Sequence, residues 1–357
     1  MLKNLLTIIA SIACCLLLLE GGLRLLPVNE GLLTQPVDEA HPIAHFKPNR
    51  TSTWSRFADF SMVNTVHSNN YGFLNDQDYD PKGRLPLLAV IGDSYVEAAM
   101  IPYQETVQGR LARELEQQWR VYSFGMSGAP LSQYLAYARY ARDEFHPARM
   151  VFVIVGNDFD ESLLKYKSSG GFHYFAEDGT GTLDLVRTDY HPSLPVRVLR
   201  HSMLARYMVT NAQMQTLLHR IQSLDKKAEQ FVGQTAAQVS RQRRDDSLKA
   251  IDEFLRLAPA YSGLPPKDII LLLDGMRPHL YAADTLKKAE GSFVDQMRNH
   301  LSKEAVRLGF SLIDMQPRFM AHYDTHGQPF EFPKDGHWNN LGHQVAAEAV
   351  IQSGLIR

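Results

Sequence analysis

Cysteine is nearly absent from this chain, and its absence limits the available chemistry. Of the 357 residues only Cys14 and Cys15 are cysteines, and they are adjacent within an apolar run near the start. The rest of the chain therefore has no disulfide, no thiolate nucleophile and no cysteine metal site. Its length and its 45% content of hydrophobic residues are sufficient for a sizeable apolar core.

An excess of one charge is also missing. The 37 Lys and Arg residues nearly balance the 39 Asp and Glu residues, which leaves a formal net charge of -2 at pH 7. Proteins that bind nucleic acids usually carry a basic patch or domain, so we expect no nucleic-acid partner. A basic cluster at 241–244 is followed at once by Asp245 and Asp246, which is typical of a solvated helix face.

A long apolar run does occur near the N-terminus. The stretch 5–19 carries no charged residue, and at about 1.5 Å per residue it spans roughly 22 Å of the ~30 Å hydrocarbon core of a bilayer. We interpret residues 1–26 as a signal anchor or a signal peptide, and favour the anchor because no clean small-x-small cleavage site precedes Pro27. Lys3 predicts an inside N-terminus. The expected location is the inner membrane with an exported, periplasmic or extracytoplasmic domain, or secretion if the segment is cleaved.

Apolar strands alternate with helices from residue 85 onward, after a linker and N-terminal extension at 27–84. The predicted strands are 87–91, 119–124, 150–155, 268–273 and 310–313, and the predicted helices are 95–118, 132–145, 284–308 and 341–354. Near-continuous apolar strands between helices indicate an α/β fold with a parallel sheet covered on both faces. Ligands of such sheets bind beyond the carboxyl ends of the strands.

The domain 85–357 contains a long insertion at about 160–265. Its first part predicts a hairpin with its turn at 177–181, and its second part is apolar at helical spacing. The apolar residues that recur there are Leu199, Met203, Tyr207, Leu217, Ile221 and Leu224. Such helices usually pack on the core or on each other. The functional alternative is a lid, or a surface that rests on the membrane or on a partner.

Three short stretches combine the residue types that acyl transfer requires. Ser94 follows the first strand in the motif Gly-Asp-Ser-Tyr and offers a hydroxyl nucleophile. His337 offers a base, and the carboxylate of Asp335, two residues earlier, can orient it. Asn157 follows the third strand in Gly-Asn-Asp and offers an amide donor for an oxyanion.

Each of these residues also has a purely structural interpretation. Ser94 and Glu97 fit the Ser-x-x-Glu capping box of a helix start. Asn157 can cap a turn, and His337 lies in a predicted loop, where a histidine is more often structural. We interpret His343, within the last helix, as structural.

Taken in this order, the motifs resemble those of the SGNH (GDSL-type) hydrolase superfamily. The resemblance covers about 85–351 without the insertion, and its blocks are Gly92-Asp93-Ser94, Gly128, Gly156-Asn157-Asp158 and Asp335 to His337. It implies a flavodoxin-like three-layer α/β/α sandwich and ester hydrolysis at a Ser-His-Asp site without a cofactor or metal.

The resemblance also implies a role for each matched residue. Ser94 is the nucleophile, His337 the base and Asp335 the acid that orients it. The amides of Ser94 and Gly128 and the side chain of Asn157 form the oxyanion hole.

One spacing departs from the usual pattern of the family. Most members separate the aspartate and the histidine by two residues, whereas here only Gly336 intervenes. The resulting Asp-x-His-Trp pattern is similar to the membrane-associated branch that includes alginate O-acetyltransferase domains. It also leaves Glu331 open as a different orienting acid.

Three functions are consistent with these residues. The first is an esterase that removes small acyl groups such as acetyl from a carbohydrate or other envelope substrate. The second is an O-acyltransferase that hands the acyl group to a glycan from the same serine. The third is a non-catalytic binding protein on a hydrolase fold, against which the intact motifs argue. The expected partners are the acylated substrate and the membrane.

Overall fold

The computed structural model describes residues 2–214, 231–233 and 235–356. The strands within these ranges are β1 (Arg50–Arg56), β2 (Met62–Ser68), β3 (Leu87–Gly92), β4 (Arg120–Gly125), β5 (Arg149–Ile154), β6 (His173–Glu177), β7 (Leu183–Arg187), β8 (Phe231–Val232), β9 (Thr235–Ala236), β10 (Ile269–Leu273), β11 (Ser311–Asp314), β12 (Glu331–Phe332) and β13 (Asp335–Trp338). The α-helices are α1 (Leu2–Leu23), α2 (Ser94–Glu97), α3 (Val107–Glu114), α4 (Leu131–Phe145), α5 (Leu194–Leu199), α6 (Met203–Arg206), α7 (Arg241–Ser262), α8 (Ala283–Ala289), α9 (Phe293–Arg307), α10 (Met315–His326) and α11 (Asn340–Gln352).

The central sheet consists of five parallel strands in the order β4-β3-β5-β10-β11. The first strand of the sheet therefore lies between the second and the third, which is the flavodoxin-like order. All five strands were predicted from the sequence, and their positions agree within one or two residues. The prediction of an α/β fold with a parallel sheet is confirmed.

Alternate side chains of these strands enter two separate apolar cores. Ala89 and Ile91 of β3 belong to one core, whereas Leu88 and Val90 belong to the other. Helices α4, α7 and α9 pack over the first core, and α3, α10 and α11 over the second. Because successive residues of a strand point to opposite faces, burial on both sides explains the uninterrupted apolar runs. The molecule is thus the predicted three-layer sandwich.

Two helices that were predicted as continuous are interrupted, so those predictions are wrong. The helix predicted at 95–118 ends at Glu97, because Ala98 adopts the left-handed conformation (φ 45°), and α3 starts only after Thr106 caps it with its side chain. The helix predicted at 284–308 is divided at Gly291 (φ 70°), and Ser292 caps the second part. In both cases a short polar side chain at the helix start satisfies a backbone amide that would otherwise lack a partner.

The segment 27–84 is more ordered than a linker. It contains the antiparallel hairpin of β1 and β2, which pairs Arg50 with Ser68 and Arg56 with Met62. The predicted hairpin within 160–265 is confirmed as β6 and β7. Leu199, Met203 and Tyr207 lie in short helical turns, whereas Leu217, Ile221 and Leu224 lie outside the described residues.

The N-terminal helix α1 stands apart from both cores. Its 22 residues, at about 1.5 Å per residue, extend roughly 33 Å, and its mean hydropathy over an 18-residue window is 2.2. Nearly all of its side chains are exposed. Within the described part of the chain it is the one helix that is long and apolar enough to cross a membrane.

Candidate active site

Ser94 lies at the carboxyl end of the first strand of the sheet, at the turn into α2. Asp93 caps this helix by accepting the Tyr95 amide at 2.9 Å, so Ser94 is the first helical residue and not the cap. The capping-box interpretation of Ser94 and Glu97 is therefore wrong. The strands β4 and β5 flank β3 on opposite sides, and the loops after β3 and β5 carry Ser94 and Asn157. In sheets of this order, such a switch point is where ligands bind.

The structure brings Ser94 and His337 into direct contact across 243 residues of sequence. Ser94 Oγ lies 2.7 Å from His337 Nε2. The histidine was predicted in a loop, but it lies on the short strand β13, which pairs antiparallel with β12. The composition of the segment is typical of a loop and did not predict this pairing. The pairing keeps the backbone of the histidine extended, next to the serine.

The carboxylate of Asp335 contacts the other ring nitrogen of the histidine. One oxygen of its buried carboxylate contacts His337 Nδ1 and accepts the His337 amide at 3.0 Å. An Nδ1 proton held in this way leaves Nε2 as the acceptor for the serine hydroxyl. The second oxygen accepts from the guanidinium of Arg56 on β1. Burial raises the pKa of Asp335, but hydrogen bonds and charge from His337, with the charge of Arg56, outweigh it and hold that pKa at about 2.

The alternative acid Glu331 has other partners. It accepts from Arg277 Nη1 at 3.2 Å and from the Tyr281 hydroxyl. Among the described residues, the carboxylate at the imidazole is that of Asp335. The spacing of a single residue between aspartate and histidine thus still places one acid oxygen on Nδ1.

A buried network fixes the strand that carries the histidine. Trp338 donates its indole N–H to Asp274 at 2.9 Å, and Arg277 donates to the other oxygen of Asp274 at 2.7 Å. The Tyr95 hydroxyl donates to the carbonyl of Gly336 at 3.1 Å. Asp274 immediately follows β10, and Tyr95 follows the serine, so both ends of the site are tied to the edge of the sheet.

Of the three predicted oxyanion donors, two are backbone amides. Within the described residues, no hydrogen bond uses the amide of Ser94 or of Gly128 as its donor. Gly128 has a φ of 81°, which favours glycine, and an added Cβ would lie 3.7 Å from Lys167 Nζ. Both amides are thus available to a substrate oxygen.

The third predicted donor, Asn157, is joined to Gly128 through two side chains. Asn157 Nδ2 donates to Glu161 at 3.3 Å. Lys167 Nζ donates both to Glu161 and to the carbonyl of Gly128, the latter at 2.9 Å. The amide group of asparagine has two N–H bonds, so this contact leaves one of them for a ligand.

Glu97 is a buried carboxyl group behind the serine. Its side chain accepts the amide of Ser127, next to Gly128. Burial raises the pKa of Glu97 to about 7, and the nearby Asp93 adds to that effect, although hydrogen bonds from Ser127 oppose it. Glu97 therefore links the helix of the predicted nucleophile to the turn of the predicted oxyanion hole.

His343 and Asp158 stabilise the surroundings of the site. His343 is buried and accepts the Val107 amide at Nδ1 over 3.1 Å, as expected of a structural residue. Asp158 accepts the Val155 amide at 2.8 Å and the Tyr134 hydroxyl at 2.9 Å, which closes the turn that carries Asn157. Burial, with the nearby charge of Asp93, raises the pKa of Asp158 well above its usual value.

A cleft with about 580 Å³ of open space lies beside these residues, between the ends of β5 and β10. Its wall includes Tyr95, Asn157, Arg277 and Gly336. The cleft gives a ligand access to the side of the site that carries the Asn157 amide.

Sequence reasoning missed several residues of this site. Arg56 belongs to no motif and reaches Asp335 only through the folding of the N-terminal extension. Lys167 reaches Gly128 and Arg277 reaches Tyr95 and Glu331 only in the folded chain, whereas Glu161 contacts Asn157 and Lys167 within its own segment. Glu97 was noted in the sequence, although it belongs to no catalytic motif. The capping-box pattern paired it with the helix start at Ser94, whereas it contacts Ser127.

Comparison with protein-family models and with curated proteins finds no match. Among solved structures, the chain is similar to a member of the lipolytic protein G-D-S-L family from Veillonella parvula, with 10% identity, coverage of 74% of this chain and 96% of that chain, and a TM-score of 0.38. It is also similar to a lipase/acylhydrolase from Enterococcus faecalis (12% identity, 76% and 96% covered, TM-score 0.40) and to an acetyl xylan esterase (12%, 75% and 98%, 0.39). These similarities concern the fold alone.

Proposed function

We propose that the chain is a serine ester hydrolase of the SGNH type that removes small acyl groups, such as acetyl, from a carbohydrate or other envelope substrate. The observation that carries the proposal is the 2.7 Å contact between Ser94 Oγ and His337 Nε2, with Asp335 on the other ring nitrogen. A hydroxyl, a base and an orienting carboxylate in one line are the arrangement for nucleophilic acyl transfer.

In the proposed cycle, Ser94 Oγ attacks the ester carbonyl while its proton passes to His337 Nε2. The tetrahedral intermediate collapses when the alcohol leaves with that proton, and the acyl group remains on Ser94. Water then gives a proton to His337 as it attacks the acyl-enzyme, and the proton returns to the serine as the acid leaves. Asp335 stays ionised throughout and stabilises the imidazolium.

The carbonyl oxygen of the substrate becomes negatively charged in both tetrahedral intermediates, and hydrogen-bond donors must stabilise this charge. The amides of Ser94 and Gly128 and the side chain of Asn157 are proposed for this role. Ser94 begins the single turn of α2, where backbone amides have no partner within the helix and can donate to a negatively charged oxygen. The link from Asn157 through Glu161 and Lys167 to Gly128 supports a common placement of the donors.

The second candidate is acyl transfer to a glycan hydroxyl through the same acyl-enzyme. The feature that favours it is the Asp-x-His-Trp spacing at residues 335–338. Purified protein that hydrolyses p-nitrophenyl acetate without an acceptor supports the hydrolase. Release of p-nitrophenol only after addition of an acceptor glycan supports the transferase.

We further propose that α1 anchors the chain in the inner membrane with the α/β domain exported. The exposed apolar surface of α1 and its length of 22 residues support an anchor. Lys3 at its start supports an inside N-terminus. If the segment is instead cleaved, the domain is secreted.

The direct test is covalent labelling by a fluorophosphonate. Ser94→Ala is expected to abolish labelling and reduce ester turnover to background, because no other hydroxyl contacts His337 in the described residues. Ser168→Ala, at an exposed serine, is the control and should label like the natural sequence. Labelling and turnover that survive Ser94→Ala would contradict the mechanism, and their absence from the natural sequence would favour the binding protein.

A further inference from the structure

The short helical segment 194–209 exposes apolar side chains instead of burying them. Leu194, Val196, Val198, Leu199 and Val209 are each more than half exposed. Contiguous exposed apolar surface on a folded domain usually marks an interaction site. The sequence predicted the helical spacing of this segment but not which face would be left uncovered.

The charges of the segment favour a negatively charged partner. Residues 190–211 contain Arg197, Arg200 and Arg206 and neither an aspartate nor a glutamate. Arg206 also lies near Glu30, which accepts the Thr53 amide at 2.8 Å. Exposed valine and leucine side chains next to arginines are the composition of helices that lie in the headgroup region of anionic bilayers.

The C-terminal end of α1 is attached directly to this segment. The Glu20 carboxylate accepts the Ser202 hydroxyl at 2.9 Å and the amides of Met203 and Leu204 at 3.0 Å each. These amides are the free donors at the start of α6, so the glutamate caps that helix. Any position of α1 in a bilayer therefore determines the depth of residues 194–209 as well.

A groove runs between this segment and residues 29–34. It has about 1090 Å³ of open space, and its walls include Leu32, Val196, Leu199 and Val209 together with Arg200 and Arg206. Glu30 also lines the groove, near Arg206. Apolar side chains beside two guanidinium groups match the chemistry of a phospholipid, whose acyl chains are apolar and whose phosphate is anionic.

We propose that residues 194–209 form a second membrane contact, which rests on the anionic phospholipid surface beside the C-terminal end of α1. Leu25 (88% exposed) and Leu26 (49% exposed) extend the same surface on the side of α1. The α/β domain then contacts the bilayer surface directly and is not attached to it through α1 alone. This proposal does not depend on the esterase activity.

A short series of contacts also connects the segment 194–209 to the candidate active site. Asn211, at the end of the segment, donates to Ser55 Oγ at 2.9 Å. The next residue of β1 is Arg56, which contacts Asp335. A domain held in this way keeps its site at a constant orientation to the membrane, which suits a substrate that is attached to the membrane or lies close to it.

The test uses the full chain in vesicles of phosphatidylglycerol and phosphatidylcholine. Cys14 and Cys15 are replaced by serine, and Val198→Cys is labelled with an environment-sensitive fluorophore. Val306→Cys is the matched control, since both valines are exposed to a similar extent, 61% and 65%. We expect quenching of the probe at 198, but not at 306, by lipids with nitroxide groups on their acyl chains.

Two further arms make the outcome decisive. Arg197→Glu combined with Arg200→Glu should reduce the quenching at 198 several-fold, and so should vesicles of phosphatidylcholine alone. Resistance of the labelled variants to extraction by alkaline carbonate, equal to that of the natural chain, verifies that α1 is inserted. With α1 inserted, a probe at 198 as open to aqueous iodide as that at 306 would overturn the proposal. So would protection at 198 that persists in detergent and depends on protein concentration, because it would assign the surface to a second copy of the chain.

Discussion

At the scale of single residues, kinetics can distinguish the proposed role of Asn157 as an oxyanion donor from the role of a turn residue. If its amide stabilises the developing negative charge, Asn157→Ala should lower kcat by about 10²- to 10³-fold with little change in KM. Asn299→Ala is a matched control, since Asn299 also donates to a carboxylate, Asp295, but on an exposed helix. Steady-state kinetics on a chromogenic ester give the answer, and a change below about threefold would return Asn157 to the role of a turn residue.

Glu97 makes the stability of the protein depend on pH in a specific direction. Its pKa is raised from 4.5 to about 7, so between these values the folded state binds more protons than the unfolded state. The contribution of Glu97 is therefore fully present below about pH 4.5 and is lost as pH rises through about 7. A shift of this size corresponds to a loss on the order of 3 kcal/mol.

The substitution Glu97→Gln should remove this dependence, because an amide does not ionise and its oxygen still accepts the Ser127 amide. We expect the variant to gain unfolding free energy relative to the natural sequence at pH 8 but not at pH 4.5, measured by urea denaturation. Glu116→Gln, at an exposed glutamate, should leave the slope unchanged. Parallel pH profiles for the natural chain and Glu97→Gln would contradict the assignment.

At the scale of elements, the hairpin of β1 and β2 contributes a residue to the candidate active site, although no motif in the hairpin predicts this. Arg56 is partly exposed and contacts the acid that orients the histidine. Arg56→Met keeps the apolar stem but removes the charge and the hydrogen bond to Asp335. Since hydrogen bonds to charged groups contribute about 1.5–3 kcal/mol and this one is partly solvated, we expect kcat to fall by about tenfold.

The control for this prediction is Arg56→Lys, which retains the charge and should recover part of the lost activity. Circular dichroism and thermal unfolding verify that the hairpin remains folded in both variants. Equal activity of Arg56→Met and the natural sequence would show that His337 alone positions Asp335.

Helix continuity was the weakest part of the predictions at this scale. The stretch 95–118 contains Pro102 and the stretch 284–308 contains Gly291, and both residues disfavour a helix interior. In the structure Ala98 and Gly291 adopt positive φ values, and Thr106 and Ser292 cap new starts. These residues are local signals of helix ends and starts, so both breaks were predictable from the sequence.

At the scale of the whole molecule, α1 contributes no residue to the two cores of the α/β domain, but its Glu20 contacts that domain. Deletion of residues 1–26 removes no side chain from the two cores of the sandwich. We expect a folded protein that high salt releases from the membrane fraction, because only the contact at 194–209 remains, and that hydrolyses a soluble ester within about threefold of the full chain. Ultracentrifugation and esterase assays measure both quantities, with the full chain in detergent as the control.

The same deletion removes the cap from α6. Amide hydrogen exchange in residues 194–209 should therefore accelerate in the truncated protein, while that of β3 and β5 stays unchanged. A truncated chain without cooperative unfolding would show instead that α1 belongs to the folding unit.

The sequence by itself determined the five parallel strands, the positions of Ser94 and Asn157 just beyond strand ends, and the apolar N-terminal helix, whereas it placed His337 in a loop and not on β13. It could do so because burial on both faces leaves continuous apolar runs, and because the relevant motifs are contiguous in the chain. Only the tertiary structure decided that Asp335 and not Glu331 contacts the imidazole, that Arg56 reaches Asp335 and that Glu20 caps a helix 182 residues away. The contacts of Arg56 and Glu20 join segments that are distant in the chain, and the choice between Asp335 and Glu331 depends on the pairing of β12 with β13, so all three depend on the folded geometry.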